Sequence, residues 1–414
     1  MYIVFVNLIM ANIIMKKLML LGGISYLLPA IEEAHKHGCK VITVDYLPNN
    51  IAHKFSDDYY NVSIIDKDKI LQLAKHLNVD GILSYAVDPG VVTAAYVAEQ
   101  MNLPFSCSYE SACILQDKAK FRQFLKDNGF NVPNAKGYTN FEDALRDIAN
   151  FDWPVMVKPV DSAGSKGISR VDKLEGLKTA VAQALEESHS GRFIIEDFLE
   201  KEGLSSGSES FFVDGNLLFN AFYDQYFDNE AINPYTPSAE CWPSSKSDKV
   251  LSDVKQQLQR LSKLLGFRTG LFNVEFRLCK NGKVYLMEVS PRAGGNRLSE
   301  ILNYATDINI IEKEIRKAIG VSVGMLHEPN YNGFYAICVL HSLCEGFISE
   351  ILIEPCFKAK HVIEEEYRFI RGDKVTPFYG ANSAIGTLFL RFDSYTEMIS
   401  ALENQSEWMN LIYI

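Results

Sequence analysis

The chain has 414 residues, 47% of them hydrophobic and 22% charged, a composition that excludes disordered and collagen-like classes and leads us to expect about two to three domains. With 41 basic against 52 acidic residues the net charge is −11, which excludes a general binder of nucleic-acid backbones; an anionic ligand must be held by a few placed cations and backbone N–H groups. Eight cysteines without a CxxC pair read as reduced thiols of a cytoplasmic protein, and the eight histidines form no metal-ligand pattern.

Met1–Ile14 is apolar, interrupted by Asn7 and Asn12, and too short to span a membrane. It lacks a basic leader and is followed by Lys16-Lys17, so it is a weak signal peptide, and a start at Met15 is an open alternative. From Lys17 strands and helices alternate. Lys17–Leu21 reads as a strand ending in Gly22-Gly23, Tyr26–His37 as a helix closed by Gly38, and Lys40–Val44 as a strand ending at Asp45. Asp66–Leu77 reads as a helix, Gly81–Ser84 as a strand and Pro89–Met101 as a helix, and this order predicts a parallel, doubly wound sheet. Asp45 sits about twenty residues beyond the glycines, where a ribose-binding acid would lie, but Gly22–Leu27 is not the GxGxxG fingerprint, so dinucleotide binding is disfavoured. Asp117–Gly129 is an amphipathic helix with Asp117 as N-cap and Phe121, Phe124 and Leu125 as its apolar stripe. Ser205–Ser208 reads as a turn or flexible loop, and Asp228–Asp248 as a mobile loop over a site. Tyr331–Ile414 reads as strands with a closing helix, a separate small α+β lobe.

Three segments carry chemistry. In Leu271–Arg292, Asn281-Gly282 between two β-rich runs is a strong hairpin signal. A two-residue turn puts Glu275 opposite Glu288 and Asn273 opposite Ser290 on one face, with Phe272, Val274, Phe276, Leu278, Tyr285, Met287 and Val289 on the core face. Opposed carboxylates with Cβ atoms about 5 Å apart repel. A hard divalent cation offsets that, because Mg²⁺ prefers carboxylate oxygens and leaves positions for phosphates. A solvated acidic face, or a one-residue bulge that breaks the pairing, are the alternatives. Ser290–Arg297, with two arginines and a Gly-Gly turn, follows directly and suits anionic groups beside a cation. In Trp153–Arg170 an apolar strand presents Lys158 ahead of a loop with Gly164, Lys166 and Gly167, able to offer backbone N–H groups to phosphate oxygens but not a P-loop. In Phe193–Leu199 an apolar strand ends in Glu196-Asp197-Phe198-Leu199, where a backbone edge and a carboxylate can read an adenine amino group; a plain strand end is the alternative.

Taken in this order, Asp117-Lys118, the V-x-V-K-P run with its glycine loop, the E-x-F-L run, Gly207-Ser208-Glu209, N-x-E-F and E-x-S-P-R-x-G-G resemble the ATP-grasp superfamily over Lys118 to about Gly320. The resemblance implies α/β and α+β structure: an N-terminal doubly wound domain over 1–116, a nucleotide-binding region over 117–325 with a phosphate lid at about 158–200, and a C-terminal α+β lobe over 326–414. It implies ATP and Mg²⁺ as cofactors, with Mn²⁺ as a substitute. Lys118 and Lys158 would contact ATP phosphates, Ser165, Lys166 and Gly167 would belong to the lid, Glu196, Asp197, Phe198 and Leu199 to the adenine hinge, and Glu209 would contact the ribose. Glu275 and Glu288 would ligate magnesium together with Ser290, which stands where the family often has Asn. Arg292 and Lys158 would be catalytic, while Arg292, Gly295 and Arg297 would face the substrate.

The implied reaction joins a small carboxylate, activated as an acyl phosphate, to an amine such as an amino acid. A bicarbonate-activating or carbamoyl-phosphate-synthase-like enzyme is the alternative within the class, and an inactive nucleotide-binding module the alternative outside it. Expected partners are the two small-molecule substrates, with a homodimer allowed and neither nucleic acid nor membrane.

Overall fold

The structure is a computed structural model that describes residues 15–414; the expectation for Met1–Ile14 lies outside the described residues. The chain forms two compact units, one ending at Phe105 and including Ile311–Gly324, the other comprising Ser106–Ile310 and Met325–Ile414.

The first unit contains β1 (Lys17–Leu21), β2 (Lys40–Val44), β3 (Asp58–Tyr60) and β4 (Gly81–Leu83) in one parallel sheet of order β3-β2-β1-β4. The near-continuous apolar runs of β1 and β2 fit strands covered on both faces. Helices Leu28–Lys36 and Lys67–Leu77 supply the crossovers from β1 to β2 and from β3 to β4, and helix Val91–Met101 follows β4. The glycine turn after β1 is filled by protein: a Cβ on Gly23 would lie 2.5 Å from His53 and 2.6 Å from Asn50. Asp45 accepts hydrogen bonds from Leu47 N at 3.2 Å and Asn50 Nδ2 at 2.8 Å, so it caps a turn instead of facing a ribose. The returning segment Ile311–Gly324 packs closely, since a Cβ on Gly81 would lie 2.3 Å from the Ala318 carbonyl oxygen. Lys317 and Glu314 form a 2.7 Å ion pair with both side chains 3% exposed.

The second unit contains three sheets. One, of order β5-β8-β6-β7, joins β5 (Ala135–Tyr138), β6 (Val155–Pro159), β7 (Ser169–Val171) and β8 (Phe193–Asp197). Its apolar face, with Val155, Val157, Phe193 and Ile195, packs on Leu177, Ala180, Val181 and Ala184 of helix Leu174–Glu186. The largest has eight strands in the order β13-β12-β9-β10-β11-β14-β18-β16. These are β9 (Ser205–Val213), β10 (Asn216–Phe227), β11 (Pro237–Trp242), β12 (Gly270–Leu278), β13 (Val284–Ser290), β14 (Phe334–Leu340), β16 (Val362–Tyr367) and β18 (Gly386–Phe392). A third, of order β17-β15-β19, joins β15 (Gly346–Ile353), β17 (Lys374–Val375) and β19 (Met409–Tyr413).

Three expectations are corrected. The C-terminal region is not a separate lobe, because β14 pairs with β11 and β14, β18 and β16 continue the same sheet. Ser205–Ser208 is not a flexible loop but the buried start of β9, held between β10 and β12. Its residues are small because the Tyr223 ring lies where a Gly207 Cβ would be, 2.3 Å from Cζ, and because Ser206 Oγ donates to Asp224 at 2.7 Å. The supposed loop Asp228–Asp248 contains β11, whose Ser238–Trp242 stretch is buried.

Candidate active site

Glu275 of β12 faces Glu288 of β13, and Asn273 faces Ser290. The turn is not the two-residue one expected. Cys279 N donates to Lys283 O at 3.0 Å and Gly282 N to Cys279 O at 2.8 Å, so Lys280, Asn281 and Gly282 form a three-residue turn with Gly282 at φ +73°. Phe276 then pairs with Leu286 while Glu275 pairs with Glu288, which leaves Met287 as a one-residue bulge. The longer turn and the bulge offset each other, and the carboxylates meet. Burial, and then the facing Glu288 carboxylate, push the Glu275 carboxyl upward; Lys118, Arg277 and Arg292 oppose the shift.

Lys118 begins the helix Lys118–Asp127, whose N-cap Asp117 accepts from Lys120 N at 3.0 Å. Its Nζ lies 3.6 Å from Glu288 Oε2 and donates to the Ser162 carbonyl at 3.1 Å. The acidic pair, Lys118 and the start of the glycine loop are thereby brought together. The pair suits Mg²⁺, an ion that often takes one or two carboxylates and fills its remaining positions with phosphate oxygens and water. Among the described residues no cluster of three or more His, Cys, Asp or Glu side chains suits a metal, so such an ion would rest on these two acids. Ser290 is fully buried, and its Oγ accepts from Gln116 Nε2 at 2.7 Å.

Lys158 and Glu196 lie diagonally across β6 and β8 on the same face, since Lys158 pairs with Ile194 and Met156 with Glu196. Lys158 Nζ donates to Glu196 Oε2 at 2.5 Å, and Arg122 Nε lies 2.8 Å from Glu196 Oε1. Burial pushes the Glu196 carboxyl up, but Arg122 and Lys158 outweigh it and hold the group down at about 2. The Glu196 carboxylate is therefore engaged by Lys158 and Arg122. Asp197 accepts from Asp152 N at 3.0 Å, so its side chain is engaged too. Phe198 and Leu199 are half-buried, and Arg170 stacks 4.6 Å above the Phe198 ring.

The glycine loop passes through positive φ at Gly164 (+68°), Ser165 (+58°) and Gly167 (+66°). Ser165 Oγ donates to the Tyr235 carbonyl at 2.9 Å. Asn233 Nδ2 donates both to Ser165 O at 3.0 Å and to Tyr379 O at 2.8 Å, and Lys166 lies beside Gly380.

Glu209 and Arg297 are engaged by protein partners. Glu209 is fully buried and accepts from Asn273 Nδ2 at 2.9 Å, Gly294 N at 3.0 Å and Ser299 Oγ at 2.7 Å. It secures the turn after β13, and burial pushes its carboxyl to about 7 in spite of these donors. Arg297 is not a surface residue, its side chain being 12% exposed. Its guanidinium meets Glu300, Glu364 and Glu366 and stacks 4.4 Å over Phe389. Gly295 accepts from Leu298 N at 3.1 Å through its carbonyl. Arg292 is 8% exposed, close enough to Glu209 and Glu275 to lower both carboxyls, and its Nη1 donates to the Ala293 carbonyl at 2.7 Å.

Four residues were missed. Arg122 hides beside an apolar stripe, and Gln116 sits just ahead of the helix. Tyr223 and Glu240 lie on strands whose alternation gives each a definite face, a signal obscured for Glu240 by the loop reading of β11. Glu240 is 2% exposed and accepts from Asn296 Nδ2 at 3.0 Å through Oε1. Burial, with a contribution from Glu275, pushes its carboxyl to about 7.

These elements define an ATP-grasp fold, and the chain carries an ATP-grasp domain: the family model for that domain matches residues 151–300. The chain is similar to the carbamoyl phosphate synthase large chain of Clostridium beijerinckii (strain ATCC 51743 / NCIMB 8052), 22% identical over 315 residues that cover 72% of this chain and 28% of that protein. It is also similar to that of Thermoanaerobacter sp. (strain X514), 27% identical over 51% of this chain and 19% of that protein. It thus spans less than a third of these curated relatives. The L-amino acid ligase of Bacillus licheniformis shares the fold with a TM-score of 0.81 at 20% identity, over 96% of this chain and 99% of that one. Phosphoribosylglycinamide synthetase of Anaerococcus prevotii does so with a TM-score of 0.74 at 22% identity, over 96% and 100%.

Proposed function

We propose that the protein is an ATP- and Mg²⁺-dependent ligase that activates a small carboxylate as an acyl phosphate for attack by an amine, with an amino acid or similar small molecule as substrate. The observation that carries this reading is the Glu275–Glu288 pair with Lys118 Nζ 3.6 Å from Glu288. Glu275 and Glu288 would hold the magnesium, which when bound supplies charge neutralisation for phosphoryl transfer. Lys118 and Lys158 would add positive charge along the nucleotide phosphates. The Glu196 carboxylate orients the Lys158 ammonium, and Arg122 in turn fixes Glu196. Arg292, held against the turn after β13, would meet the reacting carboxylate. The glycine loop, pinned to Tyr235 and Asn233, would keep water from an acyl phosphate that water would otherwise hydrolyse. The L-amino acid ligase neighbour supports the acceptor class.

The bicarbonate reading draws on the similarity to carbamoyl phosphate synthase large chains. An inactive module is disfavoured by the presence of Lys158, Glu275, Glu288 and Arg292 together. The test is a thermal-shift and phosphate-release assay. ATP is expected to stabilise the protein only with Mg²⁺, and Glu288→Gln to lower phosphate release at least a hundredfold, about 2.7 kcal/mol. Equal stabilisation by ATP with and without Mg²⁺ would sink the reading, and release with bicarbonate alone would transfer it to the carboxylase class.

A further inference from the structure

Glu240 is a buried carboxylate to which the proposed reaction gives no task. Its Oε1 accepts from Asn296, whereas its Oε2 is buried and has no hydrogen-bond partner among the described residues. Further along the same face of β11, the indole N–H of fully buried Trp242 also lacks a partner among the described residues. An unpaired buried carboxylate oxygen is costly, and such a group is retained where a ligand completes it. The setting says what that ligand is. Glu240 lies near enough to Glu275 for the two charges to repel. The turn that carries Arg292 beside Glu275 and Glu209 also carries Asn296 onto Glu240. One short segment therefore joins a buried cation and a buried anion.

We propose that Glu240 receives the ammonium group of a free α-amino acid, while Arg292 meets the carboxylate of the same molecule. This assignment rests on the ligase reading and names its substrate class: a zwitterion, recognised at both ends. An ammonium offers three donors, enough for Glu240 Oε2 and for neighbouring acceptors. Bicarbonate is itself an anion and brings no cation to offset the Glu240 charge, so Glu240 weighs against the carboxylase alternative. A site built to pair a charged group discriminates strongly against an analogue that lacks it.

The test uses the full chain with MgADP present. Binding of the twenty L-amino acids and of their desamino acids, such as propionate beside alanine, is measured by calorimetry, and phosphate release with MgATP is followed for the same panel. At least one amino acid is expected to bind a hundredfold or more tighter than its desamino analogue. Glu240→Gln is expected to raise the KM for that amino acid at least tenfold, leave the KM for ATP unchanged and raise the melting temperature of the ligand-free protein. Glu240→Asp is expected to recover part of the loss. Unchanged MgADP binding in both variants certifies their fold. Equal binding of desamino acids, no binding by any amino acid, or an unaltered KM in Glu240→Gln would overturn the assignment while leaving the ligase reading intact. Absence of any response to MgATP would instead overturn the ligase reading.

Discussion

A carboxylate can be placed by a strand's alternation, but its protonation is set by neighbours that no local pattern reveals. Glu209 and Glu240 are both pushed to about 7 by burial, against an ordinary value of 4.5. In the window between these values the folded protein holds protons that the unfolded chain has released. Stability is therefore highest below about pH 4.5 as far as these two groups are concerned, and falls as pH rises through about 7. Urea unfolding of the ligand-free protein is expected to give a lower stability at pH 8 than at pH 5. Glu240→Gln, which cannot titrate, should reduce that difference and leave Glu209 and Glu275, whose carboxyls burial also pushes up, among the remaining sources. The same slope in variant and wild type would show that Glu240 does not contribute. Lys158, Glu196, Glu275, Glu288 and Arg292 were legible in the sequence because each lies on or directly follows an apolar strand of clear period. Arg122, Gln116 and Glu240 were not, because their partners are contributed by distant segments and β11 is masked by proline and serine.

The hairpin of β12 and β13 shows why register is harder to read than strand identity. The pairing of Glu275 with Glu288 follows from a two-residue turn, yet the protein reaches it through a three-residue turn and a bulge at Met287. The bulge is held from outside the hairpin, as Arg122 Nη1 donates to the Met287 carbonyl at 2.9 Å. Arg122 thus serves two elements at once, the ion pair of β6 and β8 and the distortion that aligns the acidic pair. Arg122→Met is expected to destabilise the protein by about 3–5 kcal/mol, because it breaks a buried ion pair and leaves Glu196 with Lys158 alone. It should also weaken the Mg²⁺ dependence of ATP stabilisation, through the freed bulge. Chemical denaturation and thermal shift with and without Mg²⁺ measure the two effects, and a variant as stable as wild type would refute the first.

At the scale of the molecule, three strands of the first unit's parallel sheet were legible because strand and helix signals alternate there, whereas β3, which follows β2 without an α-helix between, was not. The boundary after the nucleotide-binding region was not, because sheet membership is decided by long-range edges. β11 offers an edge that β14 takes, which extends one sheet from β13 at one end to β16 at the other. A chain cut after residue 325 is accordingly expected to be insoluble or rapidly proteolysed, since β11 would be left as a bare apolar edge. Recovery of a soluble truncated protein that still responds to MgATP would contradict this.

Asn233 has a consequence for kinetics. Its amide holds Ser165 O and Tyr379 O, its backbone N–H donates to Phe378 O at 3.3 Å, and its Oδ1 accepts from Tyr235 N at 3.1 Å. Three segments far apart in the chain are latched by one residue, so on the proposed function a glycine loop that swings aside to load or discharge a nucleotide would have to undo the latch. Nucleotide exchange, more than affinity, should therefore answer to position 233. Stopped-flow displacement of a fluorescent ADP analogue is expected to show Asn233→Ala releasing it at least fivefold faster, about 1 kcal/mol, with the association rate raised in step. An unchanged off-rate would mean that the loop moves without it.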